Sequence, residues 1–537
     1  MVGSRVSFAK EDIGGEILPI LTTGLYRNTL DALREYIQNA VDAAADEIRL
    51  IIDPDVVSLT DDGSGMDRDQ ARNAIRFGVS DKSPLENVGF RGIGIYSGFN
   101  ICDSLEVYTK SRTDGNTYKL TFDFYGIRTQ LLEEQERRSR GLPPALHLER
   151  LLEQSVFMES RGEEDYRGFG TTVVMSGLLP AAYGQLNDWG QVVEYLRNVV
   201  PLPFAPDFKY GKAIEKRFLQ RDYRVIPLQL QIGNQQGALY RPYTDTLFKN
   251  KGRHAPAIFD IKGPNSQEFG FAWVCVNDAR ETIKDIKLRG LLLKKFGFSI
   301  SDRQYLEPFF GRPTYSRRIT GEVIVTNERL IPNAARSDFE HNSTRQEFVT
   351  QLPKLTRAID RWANNIQESE RAREVLSKTT QQLVEITEEL PLLQRDRDRL
   401  LEYNAKISEI NRQLSPHRKR LEGLDPEGLS SNRDLATGAG RLVKAALAES
   451  RRSTLRLETE VSKAVQREAS LRPKSNSSES AEPLGIFSLV EQYLPLDETK
   501  WLEAIRVLDE VIQGQQLAPE VYQAIVDDLR EQLDTQL

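Results

Sequence analysis

Glu35-Tyr36-Ile37-Gln38-Asn39-Ala40-Val41-Asp42-Ala43 is the stretch on which the reading of the fold turns. Glu35, Asn39 and Asp42 are spaced by four and three, which places them on one face of a helix. Leu33, Ile37, Ala40, Val41, Ala44 and Ile48 recur at helical spacing on the other face. A solvated polar stripe on an amphipathic helix would account for the pattern. The asparagine argues against it, because a solvent face more often carries Lys, Gln or Glu than this mediocre helix former.

Two further clusters follow. Residues 48–52 and 56–60 read as short strands around the turn Asp53-Pro54-Asp55. Directly after them comes Asp61-Asp62-Gly63-Ser64-Gly65-Met66, where two close glycines allow a tight turn and close approach of backbone to a ligand. A carboxylate at a strand end could accept a hydrogen bond from an amino group. The third cluster, Gly89-Phe90-Arg91-Gly92-Ile93-Gly94, runs G-x-x-G-x-G, the reverse of the dinucleotide fingerprint. No G-x-x-x-x-G-K-[ST] occurs, so a P-loop is excluded. Three glycines opening residues 95–99, a candidate helix start, would make a phosphate cradle from backbone N–H groups. Residues 105–110, 118–124 and 171–176 are further strand candidates, which suggests helices packed on one mainly antiparallel sheet.

In this order the three clusters resemble the ATP site of the GHKL superfamily, which contains DNA gyrase, the ninety-kilodalton heat-shock chaperones, histidine kinases and MutL. The stretch through Asp103 and Val107-Tyr108-Thr109-Lys110 is most similar to the heat-shock chaperone branch, and Phe77-Gly78-Val79-Ser80-Asp81-Lys82 to the nuclear MORC ATPases. Gly170-Thr171-Thr172 is similar to the superfamily's last nucleotide-site motif. The close resemblance covers about residues 25–178.

The resemblance implies roles. Glu35 would orient and deprotonate the attacking water. Asn39 would give a side-chain oxygen to Mg²⁺. Asp61 would receive the adenine amino group, with Gly63 in its turn, Gly65 and Met66 against the adenine, and Thr171 assisting. Gly89, Gly92 and Gly94 would wrap the phosphates of ATP, and residues 67–94 would act as a lid. Asp42 would steady the helix and strand. Asn73 and Lys82 would be phosphate contacts or plain lid surface. Leu330-Ile331-Pro332-Asn333-Ala334-Ala335-Arg336-Ser337-Asp338-Phe339 resembles the chaperone loop that delivers an arginine to the terminal phosphate. Arg336 is the candidate; an ordinary salt bridge is the alternative, and Arg289, Lys294 and Lys295 are rivals.

Beyond this region the signals are coarser. The chain has 537 residues, 39% hydrophobic and 28% charged, which suits about three or four globular domains. Residues 225–232, 257–261, 269–276 and 321–326 are strand candidates of a second block. From about Gln346 helix formers dominate, and Pro391 would split that stretch. Leu383, Ile386, Leu390, Leu393, Leu400, Ile407 and Leu414 fit a heptad seam interrupted by Arg397, Asn404 and Asn411. It would serve either a helical hairpin within the chain or a coiled coil between chains.

The expected class is α+β. A GHKL (Bergerat) α/β sandwich over 1–205 precedes a transducer-like α/β domain over 206–345. A helical, coiled-coil candidate segment spans 346–420, a basic helical segment 421–474, a linker 475–482 and an acidic helical domain 483–537. Of the net charge of −7, residues 483–537 hold 11 acidic against 3 basic residues. Residues 411–474 hold 14 basic against 8 acidic, short of a nucleic-acid footprint by itself. Only Cys102 and Cys275 occur, which excludes a disulfide framework and a cysteine-rich zinc site. No apolar run long enough for a bilayer and no signal peptide is visible, so a cytoplasmic protein without membrane partners is expected. Histidine-kinase chemistry is disfavoured, since none of His147, His254, His341 and His417 precedes the ATP motifs. A topoisomerase would need a cleavage domain for which the chain has no room. The final Gln532-Leu533-Asp534-Thr535-Gln536-Leu537 lacks the chaperones' co-chaperone docking motif.

The expected function is a Mg²⁺-dependent, homodimeric conformational ATPase, chaperone-like or remodelling other macromolecules, with a protein client or DNA as its partner. The rivals are a MutL- or MORC-like clamp on DNA, favoured by Arg418-Lys419-Arg420 and Arg451-Arg452, and a scaffold whose nucleotide is structural.

Overall fold

The computed structural model describes residues 13–25, 28–162, 168–219, 223–247, 256–277 and 281–389, with isolated positions at 405, 406, 409, 412, 413 and 416. The distal heptad positions, Pro391, and the segments expected over 421–474, 475–482 and 483–537 lie outside the described residues.

Alternation of apolar and polar side chains builds the first sheet. Its strands are β1 (Ile48–Asp53), β2 (Val56–Asp61), β3 (Cys102–Lys110), β4 (Thr117–Asp123), β5 (Val156–Gly162), β6 (Gly170–Leu178), β7 (Leu228–Ile232) and β8 (Gln235–Leu239). They lie in the order β5-β4-β3-β6-β2-β1-β7-β8. Every pairing is antiparallel except β1 with β7. Ile48, Leu50, Ile52, Val57, Leu59, Leu105, Val107 and Leu120 point into one core while their neighbours stay partly wet, the signature of a sheet covered on one face.

Among the described residues the helices are α1 (Ile17–Leu25), α2 (Asp31–Asp42), α3 (Arg68–Ala74), α4 (Phe124–Ser139), α5 (Leu148–Ser155), α6 (Pro180–Leu186), α7 (Trp189–Val199), α8 (Gly211–Leu219), α9 (Pro313–Ser316) and α10 (Ser343–Glu389). α2 gives Ala32, Leu33, Tyr36, Ile37, Ala40 and Val41 to the core of the first sheet. Its apolar periodicity overruns the helix. The chain leaves α2 after Asp42, Ala44 takes a left-handed φ of 57°, and Ile48 already belongs to β1.

Residues 228–239 join the first sheet, although their position in sequence suggests the second block. The β1–β7 pairing decides this: Ile48, Leu50 and Ile52 lie beside Leu228, Leu230 and Ile232, all in one core. β5 escapes the apolar pattern because it is an edge strand with mostly exposed side chains.

The second sheet holds β9 (Ala257–Lys262), β10 (Glu268–Val276), β11 (Gly290–Lys295), β12 (Phe298–Ser299) and β13 (Ile319–Val325) in the order β12-β11-β13-β10-β9. It is covered on both faces. Along β10, Ala272, Val274 and Val276 enter one core with Phe348, Leu352, Leu355, Ile359 and Trp362 of α10. Phe271, Trp273 and Cys275 enter the other, with Phe204, Phe208, Phe218 and Tyr243. Both cores and the sheet between them fit the mixed α/β class expected.

That second core also buries charge. Glu322 of β13 pairs with Arg241 and, at 3.2 Å, with Lys294, all three 0–1% exposed. Burial works against the Glu322 carboxylate, yet Arg241, Lys294 and Arg303 together hold its pKa down to about 2. Glu322→Gln should therefore cost about 3–5 kcal/mol of stability, because it strands buried cations. Urea unfolding measures this, and an unshifted midpoint would show the cations to be compensated elsewhere. Among the described residues no helix is long and apolar enough to cross a membrane.

Candidate active site

A cavity of about 480 Å³ lies where α2, the end of β2, the glycine-rich loop and one loop of the second sheet meet. Glu35, Asn39, Asp42, Asp61, Gly65, Met66, Asn73, Lys82, Gly89, Gly92, Gly94, Thr171 and Arg336 all lie on its wall. Of the candidates only Gly63 does not. Its amide instead donates to Asp61 Oδ1 at 2.9 Å, and a Cβ there would meet Ala43 at 2.8 Å.

Asp61 closes β2 opposite Thr171 of β6 and is 4% exposed. Burial pushes its carboxyl up to about 6, against the opposing hydrogen bonds from Gly63 and Thr171. Asp62 turns away to accept the amides of Asp46 and Glu47 at 2.8 and 3.0 Å. Gly65 has φ +64°, and any Cβ would lie 2.0 Å from the Lys110 carbonyl, so only glycine fits. The Met66 amide donates to Thr109 Oγ1 at 2.8 Å, and Thr109 lies 3.2 Å from Thr171 Oγ1. The strand ends and the turn are thus fixed to one another beneath the cavity.

The glycine-rich loop presses on the polar face of α2. A Cβ on Gly94 would lie 2.9 Å from Glu35 Oε2, and one on Gly89 would lie 3.5 Å from Asn39 Oδ1. Residues Gly94–Asn100 form a 3₁₀ helix, tied to α2 by the Tyr36 hydroxyl, which donates to Ile95 O and accepts from the Gly98 amide. Gly92 takes φ +68° against Val79 O, where a Cβ would be 2.2 Å away.

Asp42 grips this loop and not the strand expected for it. Its carboxylate, 3% exposed, accepts from the amides of Val88 and Gly89 at 2.8 and 3.0 Å and from Lys82 Nζ at 2.9 Å. Lys82 also donates to Asn39 Oδ1 at 3.3 Å. Asn73 Nδ2 donates to Asp81 Oδ2 at 2.5 Å.

Residues 331–340 form a tight hairpin: Pro332 bridges Phe339, and the Glu340 amide donates to Ile331 O at 2.8 Å. Asp338 anchors it to Arg345 at 2.5 Å and to Tyr305 at 2.9 Å. Arg336 stands at the tip with φ +51°. Its guanidinium donates to Gln38 Oε1 at 2.6 Å and Val88 O at 2.7 Å, and lies 3.9 Å from Glu35 Oε1. Arg336 is 8% exposed, so this ion pair with Glu35 is buried. The rivals lie elsewhere. Lys294 is buried against Glu322, Lys295 donates to Asn327 O, and Arg289 donates to Ile283 O.

Sequence reasoning missed Gln38, Arg91 and Glu340. Gln38 is 0% exposed, and its Oε1 is the acceptor for Arg336. Its spacing of three from Glu35 was the available signal.

Comparison with known proteins bears on the same region. Residues 26–141 match the family described as histidine kinase-, DNA gyrase B-, and HSP90-like ATPase. The chain is 26% identical over 181 residues to chaperone protein HtpG of Chromobacterium violaceum, covering 27% of this chain and 28% of the relative. It is 32% identical over 107 residues to DNA mismatch repair protein MutL of Chlorobium phaeovibrioides, covering 18% and 17%. The matches thus span 28% and 17% of these relatives' lengths. A solved N-terminal domain of a DNA repair protein covers 64% of this chain and 98% of its own at 14% identity, with a TM-score of 0.38, too low to carry an argument. The family match falls on α2, β1–β4 and the glycine-rich loop, the same stretch whose motifs resemble the GHKL ATP site.

Proposed function

We propose that this protein is a Mg²⁺-dependent ATPase that couples hydrolysis to a change of conformation acting on another macromolecule. One observation carries the reading: a single cavity gathers Glu35, Asn39, Asp61, the glycine-rich loop and, from 300 residues away, Arg336. Its volume suits a nucleotide-sized ligand.

The donor set fits Mg-ATP. Among the described residues no cluster of three or more His, Cys, Asp or Glu could hold a metal. That suits a cation that takes one or two protein oxygens and completes its shell with phosphates and water. Asn39 Oδ1 is the oxygen proposed for it, and Mg²⁺ when bound supplies charge neutralisation at the phosphates. Asp61 accepts the adenine amino group. The amides around Gly89, Gly92 and Gly94, with Lys82, bind phosphate. Glu35 orients the water and takes its proton, and Arg336 opposes the charge that develops on the terminal phosphoryl group.

Asp61→Asn should weaken ATP binding by at least about tenfold, since the amide keeps one acceptor oxygen where the carboxylate has two, and the Gly63 amide already uses one. Calorimetry giving equal affinities would place adenine elsewhere. The pKa adds a second expectation. A carboxyl raised to about 6 by burial favours the protonated folded state, so nucleotide-free stability falls as pH rises through that value. Binding to an amino group needs the ionised form. Wild-type affinity should therefore drop by up to about tenfold per pH unit below about 6. Asp61→Asn should keep only the dependence due to the nucleotide's own phosphates, and parallel profiles would remove Asp61 from adenine recognition.

The macromolecule acted on is proposed to be a protein client, after the chaperone relatives, with two chains associating when ATP is bound. Turnover that falls on dilution, together with light scattering of the full chain, tests the dimer. Constant specific activity from a monomer bound to a non-hydrolysable analogue would defeat it. The match to a DNA mismatch repair protein favours a second reading, a clamp on DNA. Salt-sensitive binding of duplex DNA would support that reading over the first.

A further inference from the structure

We infer that Arg91 is a positioning residue that clasps the hairpin bearing Arg336 to the glycine-rich loop. The inference rests on the reading above that Arg336 acts on the terminal phosphate. Arg91 sits between Gly89 and Gly92 on the cavity wall. Its Nη2 donates to Pro332 O at 3.2 Å and pairs with Glu340 Oε1 at 2.5 Å. Pro332 and Glu340 lie on the two opposite arms of the hairpin. One planar guanidinium therefore holds both arms at the base while Arg336 leaves the tip for Gln38 and Val88 O.

Val88 is the neighbour of Gly89, and its amide is held by Asp42. The loop and the hairpin thus meet at two points, the Arg91 clasp and the Arg336 seat on Val88 and Gln38. A displacement of the glycines by phosphate is carried to the arginine through the pair. Lysine would not reproduce the contact, because an ammonium is a point charge without the planar fork of guanidinium.

Exposure separates this from a purely structural role. The Arg91 and Glu340 side chains are 34% and 42% exposed, so their pairing adds little to global stability. Its effect is local, on where the hairpin stands. Arg91 also faces the cavity, so direct contact with phosphate is the competing role. Here its guanidinium is already engaged by the hairpin on Nη2.

The test uses the full chain with Glu340→Gln, Arg91→Ala and the exchanged pair Arg91→Glu with Glu340→Arg. Turnover, binding of a non-hydrolysable ATP analogue and hydrogen exchange across residues 331–340 are measured on each. Glu340→Gln should lower kcat by about tenfold. It should leave analogue affinity within about a factor of two and speed exchange in the hairpin. The exchanged pair restores the ion pair but not the donation to Pro332 O, so it should regain part of the lost kcat and protection. The clasp is overturned if Glu340→Gln leaves turnover and exchange unchanged, or if the exchanged pair is no better than the worse single variant. It is also overturned if Arg91→Ala weakens analogue binding while Glu340→Gln does nothing, because Arg91 then serves the nucleotide directly. A wild-type chain that does not hydrolyse ATP would count against the proposed function alone; hydrogen exchange would still decide the clasp.

Discussion

Glu35→Ala should bind ATP and lose turnover by roughly two to four orders of magnitude. The carboxylate stands on the cavity wall, one helical turn before Asn39, with Gly94 packed against its Oε2. A general base must reach the proton it takes, and Asp42, the other carboxylate on this face of α2, is occupied by two amides and Lys82. Removing Glu35 leaves Asp61 and the glycine-rich loop intact, so affinity should stay close to wild type. Arg34 and Arg336 lie 3.4 and 3.9 Å from Glu35 Oε1, so the alanine variant also removes a negative charge between two cations. Glu35→Gln is the better-matched comparison, because it loses the same charge and the base but keeps the side chain's shape. Undiminished phosphate release from either variant would end the proposed role.

Arg336→Ala should lower kcat by about three orders of magnitude, in the range of arginines that meet a phosphoryl group in transfer. The hairpin should survive, since Asp338, Arg345 and Tyr305 hold its base. Arg336→Lys should recover little, because an ammonium cannot bridge Gln38 Oε1 and Val88 O as the planar guanidinium does. The comparison of kcat with analogue affinity is the informative one. A loss confined to kcat places the arginine at the charge that develops during transfer, whereas an equal loss in binding places it on the ground state. A variant with wild-type kcat would make Arg336 a tether between the two sheets and nothing more.

Much of this site could be read from the chain because its chemistry is local in sequence. The spacing of Glu35, Asn39 and Asp42 fixes one face of α2, and Gly65 and Gly92 stand where a Cβ would strike backbone within 2.2 Å. The first hairpin, β1 and β2, was legible from its alternation and its Asp-Pro-Asp turn. Long-range choices were not. β7 joins β1 across about 180 residues, and nothing in its own sequence says which sheet edge it will find. Asp42 was read as steadying a strand, but the amides of Val88 and Gly89 capture it once the loop folds back. Lys294 and Lys295 were rivals for the terminal phosphate because they are cations near Arg336 in sequence. The strand buries both, and Glu322 compensates the first. Gln38 and Arg91 escaped notice because each acquires meaning only from a hairpin more than 240 residues away.

The most direct test of the account is an experimental structure of Glu35→Ala with Mg-ATP. The account predicts the adenine amino group on Asp61, the metal on Asn39 Oδ1, and the terminal phosphate beside the vacated position 35 with the Arg336 guanidinium turned onto it. A nucleotide bound outside this cavity, or bound within it while Arg336 remains seated on Gln38 and Val88, would contradict the central claim that one site is completed from both sheets.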